Sequence, residues 1–165
     1  MKTFDLQSRA KHVLMALLLA VPSLAFGAGV ELKTEAFHEV EVTRQNGSKA
    51  KELQPLMRAV PGQEVVYITT YRNTGNEPAA KVVLKNPVPE GLAYKAGSAQ
   101  GAGARAEVSV DGGKQFGALP MLSVRGPDGK TRPATADDVT DVRWTLVAPL
   151  QPGAEGTVTY RAQLK

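Results

Sequence analysis

Apolar and polar residues alternate with period two in several short runs, and no run keeps a helical period long enough to bury a face. The first clear run is Glu31 to Thr43, where Leu32, Thr34, Ala36, His38, Val40 and Val42 share one side. Glu31, Lys33, Glu35, Glu39 and Glu41 hold most of the other, and only Phe37 breaks the pattern. This predicts a half-buried strand with a charged outer face, at or near a sheet edge. Asn46-Gly47 ends it with a turn signal, and Lys49 to Arg58, interrupted by Pro55, reads as a connection or irregular edge segment.

Pro61-Gly62 launches Glu64 to Arg72, whose Val65, Val66, Tyr67, Ile68 and Tyr71 are apolar on both faces, as in a central strand. Asn73-Thr74-Gly75-Asn76 predicts a tight turn with Asn and Gly at positive φ. Ala80 to Lys85 predicts the next strand, stopped by Pro87 and Pro89, and Pro87-x-Pro89-x-Gly91 a rigid corner between sheets. Ala96 to Ala104 (AGSAQGAGA) reads as a flexible loop or mobile edge. Glu107 to Val110 is a short strand before the hairpin turn Asp111-Gly112-Gly113-Lys114. Leu122 to Val124 and Gly126-Pro127-Asp128-Gly129 suggest a further strand and turn. Thr135 to Asp138 fits a capping pattern for one helical turn. Val142, Trp144 and Leu146 alternate with Arg143 and Thr145, Pro149 to Gly156 links, and Val158, Tyr160, Ala162 and Leu164 give a last strand. About seven to nine short strands separated by turn residues predict an all-β fold, an antiparallel β-sandwich.

Composition agrees: 16 Gly and 11 Pro in 165 residues suit a turn-rich β protein, and 42% hydrophobic residues argue against disorder. The N-terminus follows a different logic. Lys2, Arg9 and Lys11 precede the apolar core Val13 to Ala20, and Ala25-Phe26-Gly27 offers small residues at both positions of a cleavage site. Residues 1–27 therefore read as a secretory signal peptide, too short in its apolar run to span a bilayer. The mature chain, residues 28–165, is expected to be one domain, exported to the periplasm or beyond, with no membrane span. Of 20 Lys and Arg and 16 Asp and Glu, three and one lie in that leader, leaving 17 against 15. That balance is too even to imply a nucleic-acid partner, for which a clustered basic face is expected. With no cysteine, burial alone must hold an exported fold, and thiol chemistry, cysteine-ligated zinc and covalent haem are excluded.

Pro61 to Ser98 resembles the bacterial conserved-repeat surface domain, an immunoglobulin-like module of cell-envelope proteins with no assigned function. Gly62, Val65 and Tyr67, then Asn73-Thr74-Gly75, Pro87-Val88-Pro89, Gly91-Leu92, Tyr94 and Gly97-Ser98 carry the likeness. Val142-Arg143-Trp144 and Leu150-Gln151-Pro152-Gly153 extend it. Asn86 stands where many members carry Asp, and the tandem repeats common in that family are absent. The resemblance implies an immunoglobulin-like sandwich serving as an envelope structural or interaction module, and implies no active site.

The residues themselves assign no catalytic, cofactor-binding or metal-ligating role, and the expected protein is not an enzyme. His38, the only histidine after the leader, shares a face with Leu32, Val40 and Val42, which suits a partly buried imidazole. Ser48, Ser98, Ser109 and Ser123 lie in no nucleophile elbow. Asp128, Asp137, Asp138 and Asp141 leave calcium binding open, without the spacing of an EF-hand. Trp144 reads as core, and Lys49, Lys51 and Arg58 as a weak basic patch without interleaved aromatics. The expected partner is an envelope protein or another copy of the chain. One alternative is assembly by β-strand addition through residues 28–43. Another is a small-ligand carrier whose pocket would be lined by Tyr67, Tyr71, Tyr94 or His38. The functional surface is expected on the strand before Val60 or on the Ala96–Ala104 loop.

Overall fold

A computed structural model describes residues 29–165; the proposed leader, residues 1–27, lies outside the described residues. The described chain is all-β. In order, its strands are β1 (Val30–Thr43), β2 (Lys49–Pro55), β3 (Glu64–Asn73), β4 (Val83–Pro87), β5 (Leu92–Tyr94), β6 (Gln100–Gly101), β7 (Ala104–Ser109), β8 (Ser123–Arg125), β9 (Thr131–Pro133), β10 (Asp141–Leu146) and β11 (Glu155–Leu164). All pairings are antiparallel. One sheet has the order β2-β1-β3-β11-β5, with β6 also on β11; a second has β4-β10-β7; β8 and β9 form a separate hairpin.

The two larger sheets bury one apolar cluster between them. Alternation decides who enters it. On β10, Val142, Trp144 and Leu146 are buried while Arg143 and Thr145 face outward; on β11, Val158, Tyr160 and Ala162 do the same. Tyr160 stacks on Tyr67 at 4.8 Å between centroids and meets Trp144 of the other sheet at 6.2 Å, so three aromatic rings tie the layers together. The Tyr160 hydroxyl donates to the Pro87 carbonyl at 2.9 Å, and burial pushes its own ionisation far up. Beside this cluster runs a polar line: Asn86 donates to Thr69 Oγ1 at 2.6 Å, which bonds Thr34 Oγ1 at 2.8 Å. The line crosses from β4 to β3 to β1 and satisfies groups that burial would otherwise penalise.

Five expectations need correction. Lys49–Pro55 is a strand, β2, with six of its seven residues exposed. The strand expected over Ala80–Lys85 begins only at Val83, because Lys81 adopts φ 55° and the chain enters the sheet through an Ala79–Leu150 bridge. Asn73 and Gly75 do not have positive φ. Asn73 is instead fully buried and works through its side chain, and a Cβ on Gly75 would lie 3.2 Å from Asn73 Oδ1. Ala96–Ala104 is tied down, with Gln100–Gly101 paired to β11 and Ser98 Oγ accepting from the Arg161 backbone N–H at 3.0 Å. Close packing fixes Gly101, where a Cβ would come 2.7 Å from Val158 Cγ1, whereas Gly97 and Gly103 take positive φ in open space. The strand expected over Glu107–Val110 spans Ala104–Ser109, and Asp111–Lys114 opens a loop that returns as a Val108–Gly117 bridge, not a hairpin between full strands. Elsewhere Gly62 and Gly91 do take positive φ at the turns read for them, and Asp138 reaches back to the Thr135 N–H at 2.8 Å as the capping pattern required.

Candidate functional site

β1 changes partner halfway along. Val30–Phe37 pairs with β3, in register Val30 opposite Asn73 through Phe37 opposite Val66. Phe37–Thr43 pairs on the opposite side with β2, from Phe37 opposite Pro55 to Thr43 opposite Lys49. The turn between β1 and β2 is built locally: Asn46 Oδ1 accepts from Ser48 N–H at 3.0 Å and from its hydroxyl at 2.6 Å, and Gly47 takes φ 79°. Leu56 then donates to the Ala36 carbonyl at 2.9 Å, and the chain crosses to β3. On that crossing Gln63 Nε2 meets His38 Nδ1 at 2.8 Å.

Two features result. Residues 38–55 form a two-stranded arm that runs past the start of β3. Val30–Glu35 is left with no strand on the side away from β3, a step in the sheet edge among the described residues.

The outer face of the arm is a ladder of opposite charges. Lys51 reaches Glu39 at 3.0 Å and Lys49 reaches Glu41 at 2.6 Å, each diagonal to its register partner. At the arm's base Arg161 of β11 bridges Glu39 at 2.6 Å and Glu64 at 2.5 Å, and Lys95 also holds Glu64. The Arg161 hydrogen bond, then that of Lys51, holds the Glu39 carboxyl below its ordinary range. Burial pushes Glu64 upward, but Lys95 and Arg161 outweigh it and leave that carboxyl lowered too. The other face carries Val40, Val42 and Ala50, half-buried at the end of the core side. Leu53, Met57 and Val60, at the end of the arm and in the crossing, are 43%, 94% and 56% exposed.

The step itself presents Glu31, Lys33 and Glu35 outward, with Lys33 bonded to Glu35 at 3.0 Å, and Val30 and Leu32 toward the core. Its free backbone groups can be assigned. The Ala36 carbonyl points to β2, whereas the Gly29 carbonyl points the other way and accepts from Thr74 N–H at 2.6 Å. Antiparallel alternation therefore aims the N–H and C=O groups of Val30, Leu32 and Thr34 out of the open edge.

The remaining candidates do not converge. Tyr71 and Tyr94 are buried in the core, Tyr67 is stacked against Tyr160, and His38 sits at the crossing, so these four line no common pocket. A cleft of about 350 Å³ between Tyr94, Ala99, Val108 and Leu119 includes only the first of them. Among the described residues no three His, Cys, Asp or Glu side chains gather to hold a metal. Asp138 is paired with Arg132 at 2.7 Å on both oxygens, and Asp128 caps its own turn at Lys130 N–H, 3.1 Å away. Ser109 donates to Asp111 and Ser98 serves Arg161, so neither meets His38. Trp144 is core. Lys49 and Lys51 are spent on the arm's ion pairs. The arm's second strand was the residue set sequence reasoning missed; Glu39 and Glu41 before Asn46-Gly47, and Lys49 and Lys51 after it, were its signal.

Compared with known proteins, the chain matches no protein-family model and no curated sequence. Among the described residues no helix is long and apolar enough to cross a membrane.

Proposed function

We propose that the mature chain is an exported, non-enzymatic β-sandwich of immunoglobulin-like layering that acts in the cell envelope by docking protein strands on its open edge. The observation that carries this is the step at Val30–Glu35, where a row of peptide groups faces outward beside a charged arm. Natural proteins usually cover or twist away such edges, and an uncovered one pairs with added strands.

Two layers and a buried tryptophan support the immunoglobulin-like description. The strand order is its own. A constant-type immunoglobulin domain places its last strand beside the penultimate one. Here β11 lies next to β3 in the first sheet, and β7 occupies the position on β10. Export rests on the leader pattern of residues 1–27. Addition of a strand to the step is favoured over exchange of residues 28–43 between subunits, because Val30–Phe37 is already docked along β3. A carrier function has no shared pocket to rest on.

The test has two parts. Mass spectrometry of the protein recovered from the periplasm or medium should give an N-terminus at Ala28; retention of residues 1–27 in the cytoplasm would end the export reading. A photocrosslinking residue at Lys33 should then capture a protein strand in intact cells, while the same residue at Lys114 or Lys130 should not. Equal labelling at all three positions would remove the edge as a docking site.

A further inference from the structure

We infer that the strand received by the step is the same step of a second copy, paired antiparallel about a two-fold axis through Leu32. This rests on the docking reading above and names its partner.

Any register with a residue on the axis keeps the core-side residues of both copies on one face, and three such registers centre on the middle of the open edge, at Leu32, Lys33 or Thr34. With Lys33 on the axis, Lys33 faces Lys33 and Glu31 faces Glu35, so every charged pair is repulsive. With Thr34 on the axis, Lys33 meets Glu35, but the added strand runs on to Ala36 and Phe37. There the Ala36 carbonyl is already taken by Leu56, and Pro55 already sits opposite Phe37. With Leu32 on the axis the pairing needs only Val30–Thr34, all within the open edge. Leu32 then exchanges both hydrogen bonds with Leu32 of the second copy, and Val30 exchanges both with Thr34, using the groups that face outward. Glu31 falls opposite Lys33 twice, in the closely spaced non-hydrogen-bonded pairs where side chains interact best.

The interface is isologous and closes on itself, so the product is a dimer and not a filament. It would join the two β2-β1-β3-β11-β5 sheets into one continuous sheet.

Light scattering over a protein concentration series tests the inference on the mature chain. The mass should double with concentration. Lys33→Glu places Glu opposite Glu31 at both sites and should weaken the dimer about tenfold; the double variant Glu31→Lys with Lys33→Glu should restore it. Failure of that rescue with a dimer still sensitive to Lys33→Glu would move the axis to Thr34 and overturn the Leu32 register. The chain has no cysteine, so a Glu31→Cys, Lys33→Cys double variant reports independently, and should oxidise to a covalent dimer. A monomer at every concentration, or a dimer indifferent to Lys33→Glu, overturns the inference. If the protein is monomeric yet Lys33 still captures another envelope protein, only self-association fails; if Lys33 captures nothing, the docking reading fails with it.

Discussion

The side-chain amide of Asn73 donates to the backbone carbonyl of Leu150 at 2.8 Å, joining the end of β3 to the link before β11. The same amide donates to the Glu77 carbonyl at 2.7 Å, and its oxygen accepts from Gly75 N–H at 3.0 Å. Asn73 is fully buried, so each lost bond leaves a polar group without water. Asn73→Ala should therefore cost about 2–4 kcal/mol, read as a lower urea midpoint with unchanged slope. A loss below about 0.5 kcal/mol would show that the clasp contributes nothing.

Acid should remove the stabilisation that Asp138 gives beside the β8–β9 hairpin. Asp138 accepts a bidentate bond from Arg132, and that pairing, against the opposing pull of burial, holds its carboxyl well below the usual range. A carboxyl lowered in the folded state stabilises above its unfolded value, about 3.9, and loses that contribution as pH falls from there toward the folded value. Stability measured at pH 7 and pH 3 should differ less in Asp138→Asn than in the parent protein. Equal pH sensitivity would assign the acid response to other carboxylates.

Arg161 is expected to govern the arm more than the body. It bridges Glu39 of β1 and Glu64 of β3, and all three side chains are about one-third exposed or less. Arg161→Ala should accelerate hydrogen exchange across residues 38–43 and 49–54. Global stability should fall by only about 1 kcal/mol or less, as for other surface pairs. High salt should mimic part of the effect in the parent. Exchange confined to β11 would show that the arm is held by other contacts.

Two neighbouring glycines should respond differently to alanine. Gly101 has no room for a Cβ against Val158, Ala104 and Trp144, so Gly101→Ala should cost about 1–3 kcal/mol through repacking. Gly103 has open space but φ 66°, so its alanine variant meets only backbone strain, about 1–2 kcal/mol. Trp144 fluorescence should shift in the first variant and stay unchanged in the second.

Where burial alternates, the chain could be read directly. β10 and β11 were visible because Trp144 and Tyr160 sit in runs whose apolar face meets another sheet, and β3 because Val65 and Val66 are both buried, as an apolar run on both faces requires. β2 was hidden for the opposite reason: Lys-Ala-Lys-Glu-Leu-Gln-Pro has water on nearly all sides, so no periodicity marks it. Asn73 was legible as a turn residue but not as a clasp, since its bond to Leu150 spans 77 residues and leaves no local trace. The glycine-rich stretch before Ala104 looked loose because composition records neither the contact of Gly101 with Val158 nor the tie of Ser98 to Arg161. As for the site, the charged strand at Glu31–Thr43 was visible as an edge. The step within it was not, because it exists only once β2 has claimed the second half of β1.

The position of β11 sets the order of events in making this protein. The ten residues of β11 follow every other described strand in sequence yet lie between β3 and β5, inside the larger sheet. Until they leave the ribosome, β3 lacks one neighbour, β5 lacks its strand partner, and Tyr67 lacks the ring of Tyr160 against which it stacks. The larger sheet therefore cannot close on the nascent chain before β11 has emerged, and until then β3 and β5 offer unpaired edges to whatever binds an unfolded polypeptide.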